Sequence, residues 1–333
     1  MPFSSRRLGL IPVLLLVLAV NLAAAEWTPV PAQGAPNPRH EAAFVEHAGK
    51  FYLLGGRRIQ PVDIFDPITN TWTHGSPPPV EVHHFQAVSH EGKIWLVGAM
   101  TGSYPREAAL DHIPVYDPAT DTWSRGPSLP ADRRRGGAGA VIHEGSLYVV
   151  CGIINGHYDG HVTWLDAMDL KTGEWRRLPD APRARDHFQS AVINNRLYAV
   201  GGRRSSAATN EVFTLVVSEV DVFDFKTGQW TTLPSPGGDL PTTRAGSMTI
   251  AAGPYVVVAG GETLRQQEAH GEVEALDTRT GTWTSWPRFA RGRHGSGLVR
   301  YGNAIYVASG SGNRGGRPEL DSIERFELPA DAR

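Results

Sequence analysis

Short runs of alternating apolar and polar residues, broken at Gly, Asn and Thr-Gly turns, fill most of the chain. The stretch from Arg185 to Trp230 shows the unit. It reads R-D-H-F-Q-S-A-V-I, turns at Asn194-Asn195, and continues R-L-Y-A-V to Gly201-Gly202. After a loop come V-D-V-F-D-F, a Lys-Thr-Gly turn and Trp230. A two-residue period over four to eight residues, bounded by such turns, predicts four antiparallel strands. A lone four-stranded sheet leaves its faces to water and needs copies of itself to cover them.

The copies are present. Trp27, Trp72, Trp123, Trp175, Trp230 and Trp283 recur about every 50 residues. An acid lies six residues before each of the last five (Asp66, Asp117, Asp169, Asp224, Asp277), and a Thr lies three before. A glycine step recurs at Gly55-Gly56, Gly98-Ala99, Cys151-Gly152, Gly201-Gly202, Gly260-Gly261 and Ser309-Gly310. An aromatic stands three residues before it in all but Gly260-Gly261. With strands named a to d from inside to outside, the sixth repeat ends after strand c, and Trp27 has no strands before it. Glu26-Trp27-Thr28 therefore supplies the missing strand d and closes the ring, which removes exposed edges. This pattern resembles kelch repeats over nearly all the chain after residue 26. The resemblance implies an all-β, six-bladed kelch-type β-propeller over residues 26–333, ring closed by the N-terminal strand. It implies little about activity, because propellers host many functions.

Composition narrows the classes. The net charge of −2 argues against nucleic acid as a partner. Lys occurs only at positions 50, 93, 171 and 226, so the remaining cations are Arg, suited to bidentate binding of carboxylate or phosphate. The one Cys, Cys151, excludes an intrachain disulfide and occupies a glycine-step position, where a small buried residue is expected. Arg6-Arg7, the apolar run Leu8–Val20 and Ala23-Ala24-Ala25 read as a signal peptide spanning residues 1–25. The run is short for a membrane span. The expectation is a secreted or periplasmic protein beginning at Glu26, with no stable membrane anchor after cleavage.

Antiparallel strands put the d–a and b–c loops on one face, together with the first residues of strand a. Sixteen residues before each glycine step stand Arg39, Arg135, Arg185, Arg244 and Arg293, with Val82 in blade two. Fifteen before stand His40, His83, Gly136, Asp186, Ala245 and His294; fourteen before stand Glu41, His84, Gly137, His187, Gly246 and Gly295. Strand a is expected to begin at the Arg row, as from about Arg39 to Val45. The Arg row has two readings: structural hydrogen bonding to neighbouring backbone, or an electropositive ring that binds an anion. His40, His83, His84, His112, His157, His161, His187, His270 and His294 all fall on this face. No compact metal motif is present, so neither a metal nor another cofactor is expected.

Three functions compete. The first is a binding module for an anionic small molecule or glycan at the Arg/His-rich mouth. Its contacts would be Arg39, His40, Glu41, His83, Arg135, Arg185, Asp186, Arg244, Arg293 and His294; a protein partner is the alternative occupant. The second is a cofactor-independent sugar mutarotase or epimerase. His84 and His187 would be its acid–base pair, since an imidazole titrates near working pH. In architecture and export the chain is similar to secreted bacterial kelch propellers that include N-acetylneuraminate epimerases, without matching their catalytic residues. The third is a copper-radical oxidase like galactose oxidase, whose chemistry needs a Cys cross-linked to a copper-ligating Tyr; Cys151 is the one candidate.

Overall fold

The computed structural model describes residues 26–333, and the expected signal peptide at 1–25 lies outside them. Among the described residues no helix is long and apolar enough to cross a membrane. Six four-stranded antiparallel sheets form the blades of a propeller. Blade one runs Ala42–His47, Lys50–Gly55, Val62–Asp66 and Thr71–Gly75. Blades two to five repeat this order, beginning at Gln86, Gly139, Ser190 and Met248.

Blade six consists of Leu298–Tyr301, Ala304–Ala308 and Ile323–Glu327, completed by Thr28–Pro29 from the other end of the chain. Thr28 pairs with Arg325 and Pro29 with Glu324. Trp27 is buried, its ring stacked 5.5 Å from Phe326 and edge-on to Phe289 at 4.6 Å. The closing strand is thus held by an aromatic anchor as well as its short ladder.

Physical roles explain the repeated residues. The Asp of each strand c end accepts backbone N–H bonds in the turn that follows: Asp66 from Ile68 and Thr69, Asp169 from Lys171 and Thr172, Asp224 from Lys226 and Thr227. The strand d Trp reaches back to the preceding blade. Trp123 Nε1 donates to Ser76, Trp175 to Ser128, Trp230 to Pro179 and Trp283 to Gly238, at 2.8–3.1 Å. The core is a set of apolar clusters lying between neighbouring blades rather than one central nucleus.

Strand a begins three to five residues later than its expected start. The reason is a row of left-handed backbone at the position fourteen residues before each glycine step. Glu41, His84, Gly137, His187, Gly246 and Gly295 have φ between 54° and 66°. Their peptides bond from blade to blade around the axis: His84 N–H to Glu41, Gly137 to His84, His187 to Gly137, Gly246 to His187 and Gly295 to Gly246. Ala42 N–H to Gly295 O, at 3.1 Å, closes the belt. The three glycines here answer to this conformation. Gly139 and Gly297 answer to crowding, since an added Cβ would stand 2.2 Å from Ser190 Oγ and 2.4 Å from Phe44 O.

Candidate functional site

The five repeated arginines do not line the mouth. Arg39, Arg135, Arg185, Arg244 and Arg293 are at most 1% exposed. Each donates to the carbonyl of the residue sixteen positions later: Gly55, Cys151, Gly201, Gly260 and Ser309. Each also pairs with a buried strand c acid of its own blade: Asp63, Asp166, Asp221, Glu274 and Glu324. The anion-ring expectation for these five is therefore corrected in favour of the structural one. A guanidinium buried against a carboxylate and backbone carbonyls of its own blade is turned away from the mouth and out of a ligand's reach. The sequence held a signal for this. The partner acid always sits three residues before the last acid of strand c, and blade two lacks both members together, with Val82 and Pro114 in their places.

What opens at the mouth is a cavity of about 770 Å³, bordered by His40, Glu41, Arg57, Arg58, Glu81, His84, Tyr104, His157, Arg203, Phe213, Glu262, His294, Arg314, Arg317 and Glu319. Its floor narrows to a constriction on the propeller axis, bordered by Glu41, His84 and His187. Of the expected site residues, His40, Glu41, His84 and His294 reach the cavity, and His187 the constriction. His83 and Asp186 stand behind them, fully buried.

The cavity walls carry both signs of charge, mostly neutralised in pairs. Arg57 pairs with Glu107 at 2.5 Å, Arg58 with Glu319 at 2.5 Å and Arg203 with Glu262 at 2.6 Å. His40 Nδ1 lies 2.7 Å from Glu319. Arg314 differs, donating to the carbonyls of Leu264 and Gln266, and to Gln267, but to no carboxylate among the described residues. Arg317 is exposed, with no carboxylate partner among them. Burial raises the Glu262 carboxyl, but His294 and Arg203 overcome this and hold it at about 2. Tyr104 is 56% exposed and stands 5.2 Å from the His157 ring, a free aromatic face over the cavity.

At the floor three imidazoles converge. The rings of His84, His157 and His187 are 4.5–5.0 Å apart, and one nitrogen from each lies within 4.8 Å of the others. Their outer nitrogens are all engaged. His157 Nδ1 meets Glu107 at 2.9 Å, and His187 Nδ1 meets Asp186. His83 Nε2 donates to Gly102 O at 3.1 Å, leaving its Nδ1 to accept from His84 Nδ1 at 2.6 Å. In each of the three, Nε2 is the nitrogen that carries the lone pair. Asp186 is fixed in turn by Ser205, which bonds Arg203, so the floor connects to the Arg203–Glu262 pair.

Burial, followed by the neighbouring imidazoles His83, His187 and His157, pushes His84 well below the usual range. Burial and then His187 push His157 to about 4. Burial and Arg57 push His83 to about 4 as well. A neutral His84 at working pH is a poor proton donor, so the arrangement suits nitrogen donation better than the acid–base pairing of His84 with His187. Cys151 is remote from this chemistry. It lies in the core between blades three and four, its thiol donating to Arg183 O at 3.3 Å and raised by burial to about 12. That placement removes the residue on which a copper-radical reading depends.

Comparison with known proteins agrees with this architecture. The KLHDC2/KLHL20/DRC7 Kelch-repeats domain matches residues 129–310. Kelch-like protein terF of Aspergillus terreus is 31% identical over 327 residues, covering 91% of this chain and 68% of that protein. The chain belongs to the kelch-repeat family. Other kelch relatives extend well beyond the ring: the chain spans 32% of Kelch-like protein 40 of Xenopus laevis, at 25% identity over 60% of its own length. N-(sulfonatooxy)prop-2-enimidothioate sulfolyase of Thlaspi arvense is 25% identical, covering 85% of this chain and 88% of that protein. The solved structure described as "Structure of YjhT" superposes with a TM-score of 0.74 at 15% identity, over 91% of this chain and 98% of that one, and shares the fold.

Sequence reasoning missed His157, Glu107, Arg203 and Glu262 as site residues. His157 and Glu107 come from b–c loops, which have no repeat register. Arg203 and Glu262 had a signal: with Arg57 they occupy the position two residues after the first residue of the glycine step. In the structure that position bridges back to the row of His40 and Asp186, at the rim of the mouth.

Proposed function

We propose that this kelch propeller is exported and binds an anionic small organic molecule, a sugar acid or a sulfate or phosphate ester, in the mouth cavity. The observation that carries this reading is the pair of wall cations, Arg314 and Arg317, left without carboxylates beside a 770 Å³ cavity whose other cations are paired. The exposed ring of Tyr104 offers a platform for a sugar or other flat group. The name of the similarly sized Thlaspi arvense relative records a sulfonatooxy compound, which supports the class of ligand. Calorimetric titration with a panel of sugar acids, sulfate esters and phosphate esters tests the reading. A charge-assisted hydrogen bond contributes about 1.5–3 kcal/mol, so Arg314→Ala should weaken a bound anion roughly tenfold or more. A panel with no binder, or a binder indifferent to Arg314→Ala and Arg317→Ala, overturns it.

A further inference from the structure

We infer that His84, His157 and His187 form a binding site for one divalent transition-metal ion at the cavity floor. The inference stands independently of the organic ligand proposed above.

The first ground is hydrogen-bond logic. Each imidazole spends its N–H outward, on Glu107, Asp186 or His83, and turns a lone pair inward. His84 Nε2 and His187 Nε2 are buried without any hydrogen-bond partner. His84 Nε2 faces Glu41 Oε2 at 3.4 Å, an acceptor opposite an acceptor. Several acceptors converging with no donor between them is the arrangement a cation resolves. A carboxylate behind a ligating imidazole fixes its tautomer and raises its basicity, and two of the three rings have one.

The second ground is conformational. His84 and His187 sit at φ 54° and 55°, in a row where three of the six blades use glycine. A β-carbon is unfavourable in that region. Blades two and four nonetheless keep imidazoles there, and these are the blades whose belt positions flank Gly137 and the His157 loop. The backbone belt fixes two of the ligands, and Glu107, reaching across from blade two, fixes the third through its side chain and the His157 N–H.

Three imidazole nitrogens suit zinc, cobalt, iron or nickel. Magnesium and calcium would want an oxygen cage instead. Three protein nitrogens on one side leave further coordination positions open towards the cavity, the pattern of a reactive rather than a closed structural site. Glu41 stands beside one of them.

Cobalt(II) titration of the chelator-treated full ring, followed by visible absorption and by calorimetry, tests this. One equivalent should bind with d–d bands typical of nitrogen ligation and raise the melting temperature. His84→Gly and His187→Gly should reduce affinity at least 100-fold while the ring stays folded, because glycine suits that backbone. His157→Ala, on a loop, should do the same and decides the matter should a glycine variant fail to fold. Glu107→Gln should cost about 10–100-fold, whereas His74→Ala, at an exposed site, should change nothing. No stoichiometric cobalt binding, or binding unaltered in all three ligand variants, overturns the inference.

Discussion

Replacing Arg185 with Met is the sharpest test of how the repeats are held together. In the folded ring its guanidinium is 0% exposed, 2.5 Å from Asp221 Oδ2 and 2.9 Å from Gly201 O. The methionine fills a similar volume but leaves Asp221 buried beside Arg183 and Thr232 alone, and strips a donor from the carbonyls of Gly201 and Glu219. Breaking a buried pair by removing one partner costs about 3–5 kcal/mol. Unfolding entropy near 2.1 cal/mol/K per residue gives roughly 0.65 kcal/mol/K for residues 26–333, so the melting temperature should fall by about 5–8 °C. Scanning calorimetry reads this directly. Asp221→Asn in the same background should cost less than the two single changes added together, because the pair is already broken. A shift under about 1 °C for Arg185→Met, accompanied by weaker binding of an anion, would refute the reasoning and return this arginine to the mouth.

Other outcomes follow from the same geometry. Deleting Glu26 to Pro31 removes the closing strand and its buried Trp27; truncating a core Trp alone costs about 3–5 kcal/mol, so an unchanged melting curve would sink the closure argument. Glu262, held at about 2 by His294 and Arg203, is depressed below an unfolded Glu, so its stabilisation is full above about pH 4.5 and is lost as pH falls towards 2. Acid titration of melting temperature should therefore be flatter over that window in Glu262→Gln, and equal slopes would contradict it. Binding of an anion at Arg314 and Arg317 should weaken as salt rises, since both border an open cavity. Mass spectrometry of the exported protein should find Glu26 as its first residue, and a protein retained in the cytoplasm with Met1 would oppose export.

The sequence alone determined the ring. Strand number, turn positions and blade count follow from local chemistry repeated every 50 residues: Asp and Thr that close a turn, Trp that reaches the previous blade, and glycine steps that end strand b. Each acts within one blade or on its neighbour, so the repeat register carries it. Even the missing sixth strand d could be assigned to Trp27 by counting. The tertiary structure decided which conspicuous residues face the ligand and which hold the fold. Five arginines in register admit either role by position alone; the strand c acids beside them in the fold decide for the structural one, a pairing the sequence carries in the fixed spacing of those acids and in the shared exception of blade two. The three-imidazole floor was hidden for the opposite reason. His84 and His187 are in register, but His157 and its partner Glu107 lie on irregular loops of different blades. Only closure of the ring brings those loops over the axis, because convergence at a propeller mouth is set by the rotation between blades and not by any spacing along the chain.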